Sequence, residues 1–464
     1  MKDRIFRFVL DHPVWVILLT MLFVFGSAYG AKNLVFKSDY RVFFSEENPQ
    51  LTAFESMQKI YSKSDNVAFI ISPNDGQVFT PKTLKAIQEL TTESWQVPFS
   101  TRVDSITNFQ HTWSEEDDMF VEDLVLDAET VTDADMPRLK EIAINEPLLL
   151  HKLISPQAHV TLVNVTVQLP GINPVEEIPQ VVSKIREMQA QFIEKNPDIS
   201  VRLSGMVMMN NSFAESSLSD NAVLVPIMFA VVLLGMIFLL RTFSGTFATV
   251  IIIIFTIVST MGLAGHTGFF LTGPSSTTPI MVLTLAVADC IHILTTMFYE
   301  MRQGVEKRKA ILDSLRINFQ PIFLTSVTTA IGFLSLNFSD SPPFRDLGNM
   351  VAAGVMLAFI FSITLFPAML SLLPLRVKAT KDGKHDFMHR FAGFVVKNRK
   401  VLLPGMSAIM ISVIVFMPQN TLNDDFVKYF DTSVPFRQAT DYMQENISGL
   451  STMEISIETG EASG

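Results

Sequence analysis

The chain has 464 residues and a formal net charge of -11, with 35 basic against 46 acidic side chains. That balance, with no recognisable nucleic-acid-binding motif, argues against nucleic acid as a partner. Hydrophobic residues make up 48% of it, 38 residues are phenylalanine and only 17% are charged. A soluble protein of this size does not need so much apolar surface. The composition therefore reads as a polytopic α-helical membrane protein.

Taken in order, residues 1–33 form an amphipathic N-terminal segment and a first span. Lys2, Arg4 and Arg7 precede the apolar run Val14 to Ala31. No small-residue cleavage site of a signal peptide follows that run. Residues 34–221 read as a soluble insertion of domain size. Its strand candidates are Val67 to Ser72, Arg102 to Asn108, His159 to Leu169 and Ile199 to Ser204, and its helix candidates are Pro81 to Trp95 and Val175 to Glu194. Such strand–helix–strand units predict an α+β extracytoplasmic domain with its helices on one side of a sheet. Glu115 to Asp135 is acidic and reads as a solvated excursion. His111, His151 and His159 are too scattered for a metal site, and none is expected.

Residues 222–375 carry five more spans, at Ala222 to Leu240, Thr246 to His266, Thr277 to Phe298, Phe319 to Leu336 and Leu347 to Leu373. Glu300 to Asn318 reads as a basic connector and residues 376–400 as a basic linker. The loops Thr267 to Ser276 and Asn337 to Asp346 hold only Arg345 as a basic residue. This asymmetry predicts that the N-terminus, both basic segments and Arg241 are cytoplasmic and that 34–221 lies outside the inner membrane. Gly332, Gly348 and Gly354 read as close helix packing, and Pro321 and Pro367 as bends. A seventh span occupies residues 401–418, and 419–464 begins a second external domain.

The third of these spans in the cluster, TTPIMVLTLAVADCIHILTTMFY from Thr277 to Tyr299, carries Asp289 and His292. Three residues apart, they share a helix face. An ionisable pair inside a span is costly and points to a relay, most simply for protons. Thr325, Ser326, Thr328 and Thr329 on the next span are candidate supports, able to hydrogen-bond the acid or hold water. The alternatives are that Asp289 and His292 satisfy each other and that the hydroxyls only pack helices. Cys290, the single cysteine, excludes an internal disulfide framework.

The N-terminus recurs. Asp39 falls on Asp425 at a shift of 386 positions, and Ala53 then falls on Ala439, Met57 on Met443, Arg4 on Arg390, Phe8 on Phe394 and Val9 on Val395. The strand Val67 to Ile71 falls on Met453 to Ile457. Such a repeat predicts duplication in the same direction. The second copy reaches Gly464 inside its first strand–helix unit. The expectation is the N-terminal half, plus the start of a second repeat, of a protein with twelve spans and two external domains. For a chain ending at Gly464, Asp425 to Gly464 should be poorly ordered or abnormally packed, with unpartnered strand edges. The sequence contains no GxxxxGK[ST] loop, nucleophile elbow or HExxH, so neither ATP-driven transport nor hydrolysis has support, and an ion gradient remains as the energy source. No cofactor is expected beyond protons as the coupling ion.

With these features the chain resembles the resistance–nodulation–division (RND) superfamily, in its MmpL-like and hopanoid-exporter-like branch. Ala288-Asp289-Cys290-Ile291-His292 resembles the Asp-containing motif of that family's fourth span, and 222–375 resembles a sterol-sensing domain. The resemblance implies porter domains outside the membrane, Asp289 as the proton-relay acid, His292 as its neighbour, and partner residues on a tenth span beyond Gly464. Drug-efflux members carry paired aspartates in the fourth span; this chain has no second Asp beside Asp289, which favours lipid-like or other hydrophobic and amphipathic cargo, and a homodimer before a trimer. Membrane lipids and that cargo are the partners implied, and a bacterial inner membrane the location. Proton-driven export is one reading. A SecD/SecF-like protein-export accessory and a non-transporting lipid- or sterol-sensing receptor are the others.

Overall fold

A computed structural model describes residues 2–61, 65–115, 118–240, 242–375, 387–420, 425–449 and 455. Arg241, positions 376–386 of the basic linker and, apart from Ile455, the repeat strand at 453–457 lie outside the described residues.

Two helices open the chain, α1 (Lys2–Asp11) and α2 (Pro13–Ala28). The extramembrane part follows with α3 (Pro49–Ile60), β1 (Asn66–Pro73), α4 (Pro81–Ser94), β2 (Ser100–Asp104), β3 (Gln110–Glu115), β4 (Asp118–Asp123), α5 (Met136–Asn145), β5 (Thr161–Val167), α6 (Pro174–Lys195) and β6 (Ile199–Ser204). Local chemistry fixes the helix starts. Asn48 accepts hydrogen bonds from the Gln50 and Leu51 N–H groups, and Thr80 caps α4 just ahead of Pro81. The Glu177 carboxylate accepts from the N–H groups of Gly171, Ile172 and Asn173 where α6 begins.

Four strands form an antiparallel sheet in the order β2-β5-β1-β6. Each of the pairs β1/β2 and β5/β6 is joined through a helix and split by another strand, the ferredoxin-like split βαβ arrangement. Val67, Phe69 and Ile71 of β1 point to one face, where Leu84, Ile87 and Leu90 of α4 and Val181, Ile185 and Met188 of α6 complete a core. Helices on one side of a sheet is the expected architecture. The stretch Glu115 to Asp135 differs from expectation. It forms half of the hairpin β3–β4, then buries Leu124, Val125 and Ala128 in the domain core before α5. Its described acids are exposed or half-buried, and the apolar Leu124, Val125 and Ala128 after the hairpin anchor it.

The membrane part comprises α7 (Met206–Leu240), α8 (Phe243–Thr267), α9 (Thr278–Arg302), α10 (Lys307–Leu334), α11 (Pro342–Ile363) and α12 (Leu365–Leu372). They are followed by α13 (Phe387–Lys397), α14 (Arg399–Val415) and α15 (Pro435–Asn446). Among the described residues, 7 helices are long and apolar enough to cross a membrane. The chain leaves the sheet through Gly205, at φ 108°, where a side chain would also collide with the Asn66 carbonyl. From there α7 runs without interruption into the second span. Its first turn, with Val207, Met208 and Met209, belongs to the domain core, so the helix is shared between the two parts rather than starting at Ala222.

The basic connector Glu300 to Asn318 is also not a separate element. α9 continues to Arg302 and α10 starts at Lys307, leaving a short turn between them. Of the three glycines read as packing sites, Gly348 and Gly354 do meet neighbouring helices, at Phe333 and at Val282 with Thr260, whereas Gly332 faces open space. Pro367 lies in the first turn of α12, after a break at Thr364, and so starts a helix instead of bending one.

α8 crosses the end of α2 and the short turn Tyr29–Asn33 after it at close range. Side chains added at Gly262 or Gly265 would overlap the backbone of Ser27 and Gly30. Small residues allow this approach, and dispersion between the backbones holds it. Gly262→Val is expected to destabilise the protein by roughly 1–3 kcal/mol through overpacking, while the same change at Gly235, which has nothing within reach of a Cβ, leaves the melting temperature in detergent unchanged. Equal melting temperatures for both variants would refute the assignment.

Residues 425–449 do not lack partners. The short turns Tyr40–Phe43 and Phe426–Tyr429 stand at the same shift of 386 positions as α3 and α15, and each is capped by its aspartate, Asp39 or Asp425. Phe430 and Phe436 enter the core of the first domain. α15 lies on the free face of the sheet, with Ala439, Met443 and Ile447 against Ile70, Val160 and Leu162. Thr440 and Ser204 share a hydrogen bond of 2.8 Å, and the Arg202 guanidinium sits 4.1 Å from the centre of the Tyr442 ring.

Candidate functional site

The apolar stripe of α9 recurs at helical spacing through Val282, Leu283, Ala286, Cys290, Ile293, Leu294 and Met297, all fully buried among α8, α10 and α11. Asp289 falls within that stripe and is 8% exposed. Among the described residues no group hydrogen-bonds its carboxylate. Its neighbour Cys290 is fully buried.

His292 is exposed. Residues three apart are offset by about a sixth of a turn, and the edge of the buried stripe falls between these two. They therefore share a helix side without forming a hydrogen-bonded couple. Of the candidate supports on α10, Ser326 is 3% exposed, Thr329 is half-buried, and Thr325 and Thr328 are exposed. The Thr325 hydroxyl donates to the carbonyls of Pro321 and Ile322, and that of Thr328 to Leu324 and Thr325. None of the four bonds Asp289 among the described residues.

The polar clasp between α9 and α10 lies elsewhere. The Ser314 hydroxyl donates to the Ile293 carbonyl at 2.7 Å, and the Asn318 amide donates to the Thr296 hydroxyl at 2.8 Å. Both residues belong to the stretch read as a connector. Their spacing of four was the available signal, one helical turn of small polar groups leading directly into an apolar run.

Outside the membrane part, a cavity of about 1210 Å³ separates α3 from the uncovered half of the sheet. Phe44, Phe54, Met57, Leu162, Met206 and Met443 give it apolar walls, and Asp65, Arg102 and Lys152 place charges at its edge. It exceeds the size of a usual small-molecule pocket. Arg41 anchors its base: its guanidinium donates to Asp39 at 3.0 Å and to both oxygens of Asp65 at 3.0 and 3.2 Å. Burial works against the Arg41 cation, but Asp65 and Asp39 outweigh it and hold the guanidinium above its ordinary pKa. Burial also pushes the adjacent Tyr40 phenol up to about 12. Contacts distant in sequence assemble this cavity, and no motif announces it. Among the described residues no group of three or more His, Cys, Asp or Glu side chains could hold a metal ion.

Comparison with known proteins agrees with this architecture. The profile of the MMPL family matches residues 43–401. Putative membrane protein MJ1562 of Methanocaldococcus jannaschii is 20% identical over 375 residues, 79% of this chain and 92% of that one. Probable transport protein MmpL4 of Mycobacterium leprae is 31% identical over 137 residues, 27% of this chain and 14% of that one. Hopanoid transporter HpnN of Rhodopseudomonas palustris is 26% identical over 113 residues, 24% of this chain and 13% of that one. The chain thus spans most of the first and only a small part of the two transporters. A family match over well more than half of the chain, on a multi-pass helical frame with an α+β domain, places it among transport proteins rather than enzymes: the chain belongs to the MMPL family of the RND superfamily.

Proposed function

We propose that the chain drives proton-coupled export of lipid-like or other amphipathic molecules from the inner membrane, with Asp289 as the group that takes up and releases the proton. The observation that carries this is the burial of Asp289 within a spanning helix with no hydrogen-bond partner among the described residues. Charge at membrane depth is costly, and a carboxyl group without a partner cation loses that cost by binding a proton. Cycling between a closed and a wetted environment would then couple proton movement to shape. His292, at the edge of the same stripe, tunes the site rather than carrying the essential proton. Ser326 is the one of the four α10 hydroxyls buried enough to hold water near the acid.

The α+β domain acts as a porter domain in this reading. It lies outside the membrane, with the N-terminus and the α9–α10 turn in the cytoplasm. Its cavity receives the cargo, and the apolar walls suit a hydrophobic body while Arg102 and Lys152 suit a polar head. The hopanoid named for one relative is a cargo of that kind. Five spans of the sterol-sensing type and a repeat begun at α13 fit the same scheme. The test is transport of a fluorescent lipid by the protein reconstituted in vesicles with an imposed pH difference. Flux should follow the sign and size of that difference. Equal flux with and without it would leave a sensor or an uncoupled carrier as the better reading.

A further inference from the structure

The charges of α1 are of two kinds, those paired with α10 and those left unpaired. Its buried side, Phe6, Val9 and Leu10, packs into the membrane core. Its acids are pinned to α10. The Arg316 guanidinium donates to both oxygens of Asp3 at 3.1 Å, and Arg308 pairs with Asp11. Lys2 is turned inward too, its ammonium 4.5 Å from the centre of the Phe319 ring.

Arg7 shares a stripe of the helix with Asp3 and Asp11, one turn from each, and Arg4 lies one turn before it; these two arginines are left without such a partner. Both are exposed, and neither makes a hydrogen bond or ion pair among the described residues. Asp3 is within electrostatic reach of Arg7, but both its oxygens are already taken by Arg316. One helical turn apart, the two guanidinium groups stand as neighbours. Beside them the exposed surface turns apolar, with Ile5 45%, Phe8 55% and, at the start of the first span, Trp15 65% exposed. α1 passes into α2 through His12 alone, so this surface is held at the depth where the span enters the membrane. Basic residues beside aromatic and aliphatic ones are the chemistry of a helix lying in the headgroup layer.

We propose that the exposed face of α1 is a binding surface for anionic phospholipid, with Arg4 and Arg7 on the headgroup phosphate and Ile5, Phe8 and Trp15 along the acyl chains. Because the acids of α1 are fixed to α10, the bound lipid also steadies the helix that flanks Asp289's span. The source of the phosphate is the membrane. A free phosphate ion would gain nothing from the three apolar side chains.

The experiment is native mass spectrometry of the whole protein, titrated with phosphatidylglycerol or phosphatidylcholine in detergent. The parent protein should prefer phosphatidylglycerol. Arg4→Gln with Arg7→Gln should weaken that lipid by about fivefold for each arginine removed, the factor matching about 1 kcal/mol per basic residue at an anionic surface, and leave phosphatidylcholine unchanged. Arg4→Lys with Arg7→Lys keeps both charges and should retain most of the preference, which separates lost charge from a damaged fold. An unchanged affinity in the glutamine variant, or displacement of the lipid by millimolar inorganic phosphate alone, would overturn the proposal.

Discussion

Asp289→Asn is expected to insert and fold like the parent protein and to lose gradient-driven flux, falling to the leak of empty vesicles. The substitution preserves volume and hydrogen-bonding capacity but removes titration. Because the carboxylate has no hydrogen-bond partner among the described residues, the change breaks no described contact, and an unaltered melting temperature should accompany the lost flux. Asp289→Glu pushes the group further along a face closed by α8 and α11, so partial activity is expected at most. His292→Ala should be milder, since His292 is exposed and forms no couple with the acid. The readout is proteoliposome transport under a defined pH difference. Wild-type flux in Asp289→Asn, with the same dependence on the gradient, would remove Asp289 from the mechanism.

Arg41→Met should produce the largest loss of stability, about 3 kcal/mol, near the lower end for breaking a buried ion pair because the guanidinium keeps some solvent. The Asp65 side chain is only 6% exposed, and the substitution removes the guanidinium that offsets its buried charge. Arg41→Met with Asp65→Leu should recover most of the loss, since an apolar pair of similar volume replaces a buried ion pair at little cost. Thermal unfolding of the three proteins in one detergent measures both effects. A double variant as unstable as Arg41→Met would show that the arginine acts through packing and not through its charge.

Much of this architecture can be read from local pattern. Alternation places β5 and β6 to within a residue or two, and a short apolar run places β1, whose second face is covered by α15. Hydropathy finds the seven spans because each is a long apolar run. Legibility fails where the deciding contact is distant. The hairpin β3–β4 is largely solvent-exposed and held by cross-strand pairing such as Trp113 on Phe120, so it has no buried apolar period to detect. The start of α7 is hidden because its first turn serves the soluble core, and that of α10 because Lys307 and Arg308 resemble loop residues. Lys307 in fact donates to the carbonyls of Ser371 and Leu373. In the site, Asp289 is conspicuous as an acid in an apolar run. That His292 falls outside the buried stripe depends on where α8 and α11 lie, which spacing along one helix does not contain.

Ser204 ends β6, holds Thr440 of α15 by a hydrogen bond, and passes through Gly205 directly into α7. One residue is therefore the junction of two elements: α7 continues from it along the chain, and α15 grips it from the side. A tilt at the start of α7 must carry the edge strand and α15 with it, peel that strand from β1, or break the bond. The outermost strand of the sheet thus serves as a fulcrum between the start of α7 and the packing of α15.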